Sequence, residues 1–355
     1  MSAPVDPVEA IAQAVLYEGY ILYPYSASST KNQVRWTFGG VFPRSYAEAN
    51  EGESSVLQAQ CLLRFEPGCT VDTSIRFLRL VQRTVGRLGS PVTDLQPDSY
   101  PDLQPADSVV VAGETYSSWQ EAVEHRVEVG GREIQGLLLA NRKLPVDLPA
   151  QRTVEPLGES DGTIGAAIVR ESQALRGEVE VSAEVVAPKT ARLSVRFENL
   201  TPLGEPLGMR REQAAMHAFI SSHVVLRASG GQFVSQADPP DGLRPEAEAC
   251  RNLGVWPVLV GAEGATDTVL ASPIILEDHP AIAPESPGDL FDGTEIDEIL
   301  TLRILTLTDE EKAQMRQADP RTRAMLERSE SLTADELLNL HGALRGVRSL
   351  AERDE

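Results

Sequence analysis

The chain has 355 residues, 41% of them hydrophobic and 24% charged, the balance of a globular protein with a buried core. Its length exceeds what a single small core usually holds, so two domains, or one large β body with an appendage, are expected. Lysine and arginine total 32 against 53 acids, a net charge of −21 that opposes nucleic-acid phosphates and anionic membrane surfaces and suits docking on a basic protein patch.

The first element is expected to be an amphipathic helix. Val8, Ile11, Ala12, Val15 and Leu16 recur at i, i+3, i+4, i+7 and i+8. Asp6-Pro7 supplies a capping side chain and a helix-starting proline, and Gly19 a stop. Next comes "LYEGYILYPYSASSTKNQVRWTFGGVFPR", residues 16–44. It reads as a short strand (20–25), a polar loop (26–33) and a second strand (34–42), with Gly39-Gly40 marking a bulge or a close backbone approach. Tyr17, Tyr20, Tyr23, Tyr25, Trp36, Phe38, Phe42 and Tyr46 crowd this region. Such rings either fill the end of a β core or anchor a partner, together with Lys31, Arg35 and Arg44.

Strands are expected at 56–65 and 71–85, with a change of phase between Phe77 and Leu78 that implies a bulge or a two-sided strand. Residues 89–107, with Pro91, Pro97, Pro101 and Pro105, read as a linker or long loop. Strands follow at 109–112, 122–129 and 134–139, with Gly130-Gly131 as a hairpin turn. Residues 145–162 form a second polar break, and 164–171 and 177–199 are strands. The run 214–226 is apolar and carries His217 and His223, and Gly230-Gly231 is expected to turn it back into 232–235. One or two helical turns at 245–253 precede strands at 255–261 and 268–276. Capping boxes at Thr294/Asp297, Thr308/Glu311 and Thr333/Glu336 make 294–350 mostly helical, broken at Pro320.

The pattern is α+β: a mainly antiparallel, sandwich-like β body with an N-terminal amphipathic helix and a helical C-terminal segment. The expected divisions are 1–107, 108–290 and 291–355. Cys61, Cys69 and Cys250 are too few and too scattered for a disulfide framework, match no zinc spacing, and read as small buried residues. No apolar run is long enough for a membrane helix and no secretory leader appears, so a cytoplasmic setting is expected.

Chemical motifs are sparse. There is no nucleophile elbow, no phosphate loop and no dinucleotide fingerprint, and no cofactor is implied. The acidic stretch Glu285, Asp289, Asp292, Glu295, Asp297, Glu298 misses the EF-hand spacing; it fits helix-start charges, a hard-cation site, or a docking patch for a basic partner. His217 and His223, six apart, share a face on a strand but not on a helix. His279 beside Asp278, with Glu285 further on, is the one candidate centre for a metal-assisted hydrolase.

Three stretches carry a resemblance: residues 16–44 quoted above, "EACRNLGVWPVLVG" (248–261), and "SPIILEDHPAIAPESPGDLFDGTEIDEILTLRILTLTDEEK" (272–312). Together they resemble a bacterial family of uncharacterised proteins often encoded in NiFe-hydrogenase gene clusters. The resemblance implies a non-catalytic accessory or scaffold protein whose partners are hydrogenase subunits or maturation factors. It also implies an aromatic residue where this chain has His279, which weighs against a metal-ligand role there. The contact candidates are Tyr20, Tyr23, Tyr25, Lys31, Arg35, Trp36 and Arg44 in one stretch and Glu285, Asp289, Asp292, Glu295 and Glu298 in the other. A structural subunit of a larger complex is the third expectation.

Overall fold

One strand organises the structure, a computed structural model that describes residues 7–18, 38–99, 101–159, 161–204 and 208–280, with Lys312, Arg316, Arg323, Leu326, Glu327, Glu330 and Ser331. Strand β1 (Val56–Val92) runs unbroken through the two segments expected as separate strands. The Pro67-Gly68 pair between them forms an irregularity within the strand, where the pairing register shifts between Phe65 and Thr70. Further shifts fall at Arg76/Leu78 and Arg87/Val92.

These shifts let β1 serve a succession of partners, all antiparallel. One edge carries β11 (Thr190–Asn199), β6 (Arg132–Glu133), β5 (Trp119–Glu128) and β2 (Leu103–Ala106) in turn. The other carries β12 (Ile220–Phe233) and then β9 (Ile164–Ser172). The sheet continues outward through β14 (Thr268–Ser272) to β13 (Trp256–Leu259) on the β12 side, and through β10 (Leu175–Ala187) to β7 (Arg142–Leu148) on the β11 side. Strand β8 (Gln151–Gly158) flanks β9, and β3 (Ser108–Val111) with β4 (Glu114–Ser117) forms a separate hairpin. The fold is therefore a β-rich α+β fold, mainly antiparallel.

Several local expectations are corrected. Residues 134–139 form helix α3 (Ile134–Leu139), not a strand: Ile134 and Leu137, three apart, are buried, while Leu139 is 88% exposed. The break at 145–162 holds most of β7 and all of β8, and the prolines inside them are tolerated because both are edge strands. Gly230-Gly231 lies within β12 rather than turning it back, because β12 keeps pairing with β1 there (Gly231 with Phe65); position 231 is glycine because a β-carbon there would sit 2.8 Å from Cys69 Sγ. The expected linker at 89–107 contains the end of β1 and the whole of β2. Within 34–42, Phe38–Phe42 holds only an isolated bridge at Val41, paired with Phe219 and Ser54; residues 34–37 lie outside the described residues.

The main core joins residues of β1, β7, β10, β11, β12, β13 and β14 with Ile134 and Leu137 of α3. On the opposite face of β12, β13 and β14, helix α1 (Pro7–Glu18) buries Val8, Ile11, Ala12 and Val15 against Val225, Val258, Val260 and Leu270. Leu16 joins Phe42, Tyr46 of α2 (Arg44–Ala49), and Ala214 and Ala215 of α4 (Arg211–Ala215) over Leu78 and Leu80. The hairpin β3–β4 lays Val109 and Val111 on Val85, Ala166 and Ile168.

The chain divides into two compact units, 1–22 with 26–281, and 23–25 with 282–355. In the second, the seven described residues are helical, and Glu330 pairs with Lys312 and Arg316. The rest of the expected helical segment lies outside the described residues. Among the described residues no helix is long and apolar enough to cross a membrane.

Gly86 sets how closely β2 can approach. A β-carbon there would sit 2.4 Å from the Gln104 carbonyl oxygen, so β2 would have to move. Gly86→Ala is expected to cost about 1–3 kcal/mol in denaturant unfolding, with faster amide exchange confined to 103–106. Unchanged exchange there would refute this account of the contact.

Candidate functional site

Three arginines on β1, Arg76, Arg79 and Arg83, are each 4% exposed or less, although long charged side chains are rarely buried unless paired. Each is treated differently.

Arg76 faces α1. It stands opposite His223 of β12 and Arg126 of β5 in register. Its guanidinium donates to Glu9 at 2.8 Å, to Gln13 and to Glu124. Gln13 in turn donates to Glu124 at 3.0 Å, and Arg126 reaches the second oxygen of Glu9. Two residues one helical turn apart, Glu9 and Gln13, thus tie α1 to the sheet by a polar cluster, beside the apolar stripe that covers β12–β14. Beneath lies His223, fully buried, its Nδ1–H donating to the Ser221 carbonyl at 3.0 Å. Burial lowers its pKa to about 4, and the neighbouring Arg76 charge acts in the same direction, so the ring is neutral near pH 7.

Arg83 stands directly opposite Arg170 of β9. Like charges so placed repel. Glu121 of β5 bridges them, accepting from Arg83 at 3.4 Å and from Arg170 at 2.9 Å, and Arg170 also donates to Glu155 at 2.6 Å. Burial lowers the Arg83 pKa, and the Glu121 charge opposes that.

Arg79 points to the face that carries Phe77 and the main core. Its Nη2 donates to two main-chain carbonyls, Pro149 O and, at 2.7 Å, Gln173 O, tying the β7–β8 and β9–β10 connections to β1. No carboxylate pairs with it among the described residues.

Most contact candidates named from the sequence lie outside the described residues: Tyr20, Tyr23, Tyr25, Lys31, Arg35, Trp36, Glu285, Asp289, Asp292, Glu295 and Glu298. Arg44 is described. It opens α2, is largely exposed, and pairs with Glu198 of β11, which holds the Arg44 pKa up. Phe42 and Tyr46 are core residues, with ring centroids 5.4 Å apart and the Arg211 guanidinium 5.2 Å over Phe42; Phe38 is 43% exposed.

The Asp278–His279 pair protects a sheet edge. Asp278 accepts from the Leu259 amide at 2.8 Å with one oxygen and from the Ser235 hydroxyl with the other, and the His279 amide donates to the Leu259 carbonyl at 2.7 Å. The outer edge of β13 is thereby covered at Leu259. Glu285, the third member of the candidate hydrolase set, lies outside the described residues. His217 sits between α4 and β12, so it does not share a strand face with His223. Among the described residues no three His, Cys, Asp or Glu side chains group as a metal site. Burial raises the thiol pKa of Cys61, Cys69 and Cys250, which disfavours the reactive thiolate.

The buried arginines escaped the sequence reading. In "IRFLRLVQR" (75–83) the arginines fall on both faces of the strand, Arg76 on one and Arg79 and Arg83 on the other, so no polar face is marked; that α1 covers Arg76 is a tertiary fact. Compared with known proteins, the chain matches no family model and no curated protein sequence.

Proposed function

We propose that this chain is a non-catalytic accessory or scaffold protein that binds protein partners, working in the cytoplasm in a NiFe-hydrogenase assembly or maturation system. The resemblance of residues 16–44, 248–261 and 272–312 supplies that context. The observation that supports partner binding is the distribution of charge. The described cations are widely neutralised in place: Arg44 by Glu198, Arg152 by Glu171, Arg192 by Glu184, Arg211 by Glu53, Lys143 by Glu178 and Lys189 by Glu66. With 53 acids against 32 basic residues in the sequence, the net charge left over is negative, an acidic field suited to a basic protein surface.

Affinity purification of the tagged chain from its native host, followed by mass spectrometry, tests this. Hydrogenase subunits or maturation factors should be recovered at low salt and lost several-fold near 0.5 M salt, where screening shortens to about 4 Å. Their repeated absence under conditions that express the hydrogenase would overturn the proposal. A second reading, the metal-assisted hydrolase at Asp278, His279 and Glu285, has one observation in its favour: Nδ1 of His279 is sealed from solvent without a hydrogen-bond partner. Near-stoichiometric metal in the purified protein would decide for it.

A further inference from the structure

We propose that Arg79 and His125 form a binding site for a small organic carboxylate, where β1 exchanges one partner strand for the next. On that edge the last pair with β12 is Leu78–Ile220 and the first with β9 is Gln82–Glu171. Residues 79–81 of β1 therefore have no strand beside them on that edge, and the Arg79 side chain reaches the Pro149 and Gln173 carbonyls of two connections.

Arg79 is 2% exposed, yet its partners are two neutral carbonyls, both taken by Nη2. Its Nε is buried without a partner, and Nη1 makes no hydrogen bond among the described residues. Burying a cation is costly unless an anion or full hydrogen bonding compensates it. Arg76 and Arg83 have glutamates for this purpose; Arg79 does not.

His125 is one of its two diagonal neighbours; the other, Glu121, is held by Arg83 and Arg170. The register pairs Phe77 with His125 and Arg79 with Val123, so all four side chains lie on one face of the β1–β5 ladder. Diagonal residues across such a ladder are about 7–8 Å apart, within reach of one ligand bridging two long side chains. The His125 ring is half-buried, stacks on Phe77 with centroids 5.6 Å apart, and has no hydrogen-bond partner among the described residues. The adjacent acid, Glu124, points to the opposite face and is held by Arg76. Burial and then the Arg79 charge oppose protonation of His125, and the Glu124 charge favours it. Val123, 48% exposed, shows that this face of β5 is open to solvent beside the two groups.

An anion seated here would accept from Arg79 Nη1 and from a ring N–H of His125. The stacked Phe77–His125 pair and the Val123 methyls give it an apolar flank. A carboxylate on a short aromatic or aliphatic body meets both requirements; inorganic phosphate meets only the first. This site is independent of any protein partner, so its failure would leave the proposed function untouched.

The test is calorimetric titration of the full chain with benzoate, compared with benzyl alcohol and inorganic phosphate, and followed in parallel through the His125 ring resonances. One benzoate should bind per chain, with a Kd near the millimolar range, about −4 kcal/mol. The His125 pKa should rise on binding, because the anion stabilises the imidazolium. Benzyl alcohol should not bind. In His125→Gln, affinity should fall about tenfold, and in Arg79→Met it should vanish. Should Arg79→Met fail to fold through loss of its carbonyl ties, the benzoate-dependent pKa of His125 and the His125→Gln affinity carry the test. Absence of saturable binding, equal affinity in His125→Gln, or phosphate binding as tightly as benzoate would overturn the proposal.

Discussion

Replacing Phe219 with alanine is expected to remove about 3–5 kcal/mol of stability, the usual range for deleting a buried aromatic ring. The ring is fully buried and packs edge-on to Phe77 at 4.8 Å between centroids and against Phe197 at 4.6 Å. Its backbone is bonded in both directions to Val41, so alanine keeps those hydrogen bonds and loses only the ring. Collapse of the cavity is hindered from below. Gly177 already lets the Phe197 and Phe219 rings come within 3.1 Å of where its β-carbon would be, so the sheet has no further approach to make there. A typical domain has only about 5–15 kcal/mol in total, so the variant should unfold at much lower urea with an unchanged m-value. A loss under about 1 kcal/mol would mean that the rings repack, and that this aromatic cluster is not a keystone of the main core.

The second large effect is a loss of stability in acid that originates at His223. The folded ring resists protonation down to about pH 4, whereas in the unfolded chain it takes a proton near its ordinary value of 6.5. Between those values the unfolded state binds more protons, so stability falls as pH falls through that window. The full difference is on the order of 3 kcal/mol. The charged groups acting on it are Arg76 of β1 and Glu124 of β5, and Arg76 is bonded in turn to Glu9 and Gln13 of α1. Urea midpoints at several pH values from 7 to about 4 should therefore drop more steeply for the native chain than for His223→Leu, which keeps the other titrating groups but has no imidazole. Parallel curves for the two proteins would show that His223 is not the acid-sensitive group. Because Arg76 and α1 share this cluster, amide exchange in 7–18 should accelerate over the same pH range.

The sequence by itself determined the elements whose residues satisfy one period only. Five apolar residues at helical spacing specified α1, and all five are buried. The alternation Leu193, Val195, Phe197 against Ser194 and Arg196 specified β11, with the first three in the core. The net charge of −21 likewise belongs to the sequence alone. Tertiary structure decided what short-range patterns leave degenerate. Six residues, Ile134–Leu139, are compatible with a strand or a helix; α3 results because Ile134 and Leu137 then share one face toward the core. Pro145 and Pro156 read as breakers, but at an edge the missing N–H costs no ladder bond, and that edge exists only once β10 and β9 are in place. Residues 56–65 and 71–85 read as separate strands, yet β1 continues through Pro67-Gly68 because β12 pairs on both sides of the irregularity. The fates of Arg76, Arg79 and Arg83 were the least legible of all. A residue's burial and counter-ions come from elements distant in sequence: Glu9 is 67 positions from Arg76, and the Gln173 carbonyl 94 from Arg79. Local propensity acts over a few residues, whereas desolvation and charge pairing act through space, so only the folded chain could show which arginine lacks an anion.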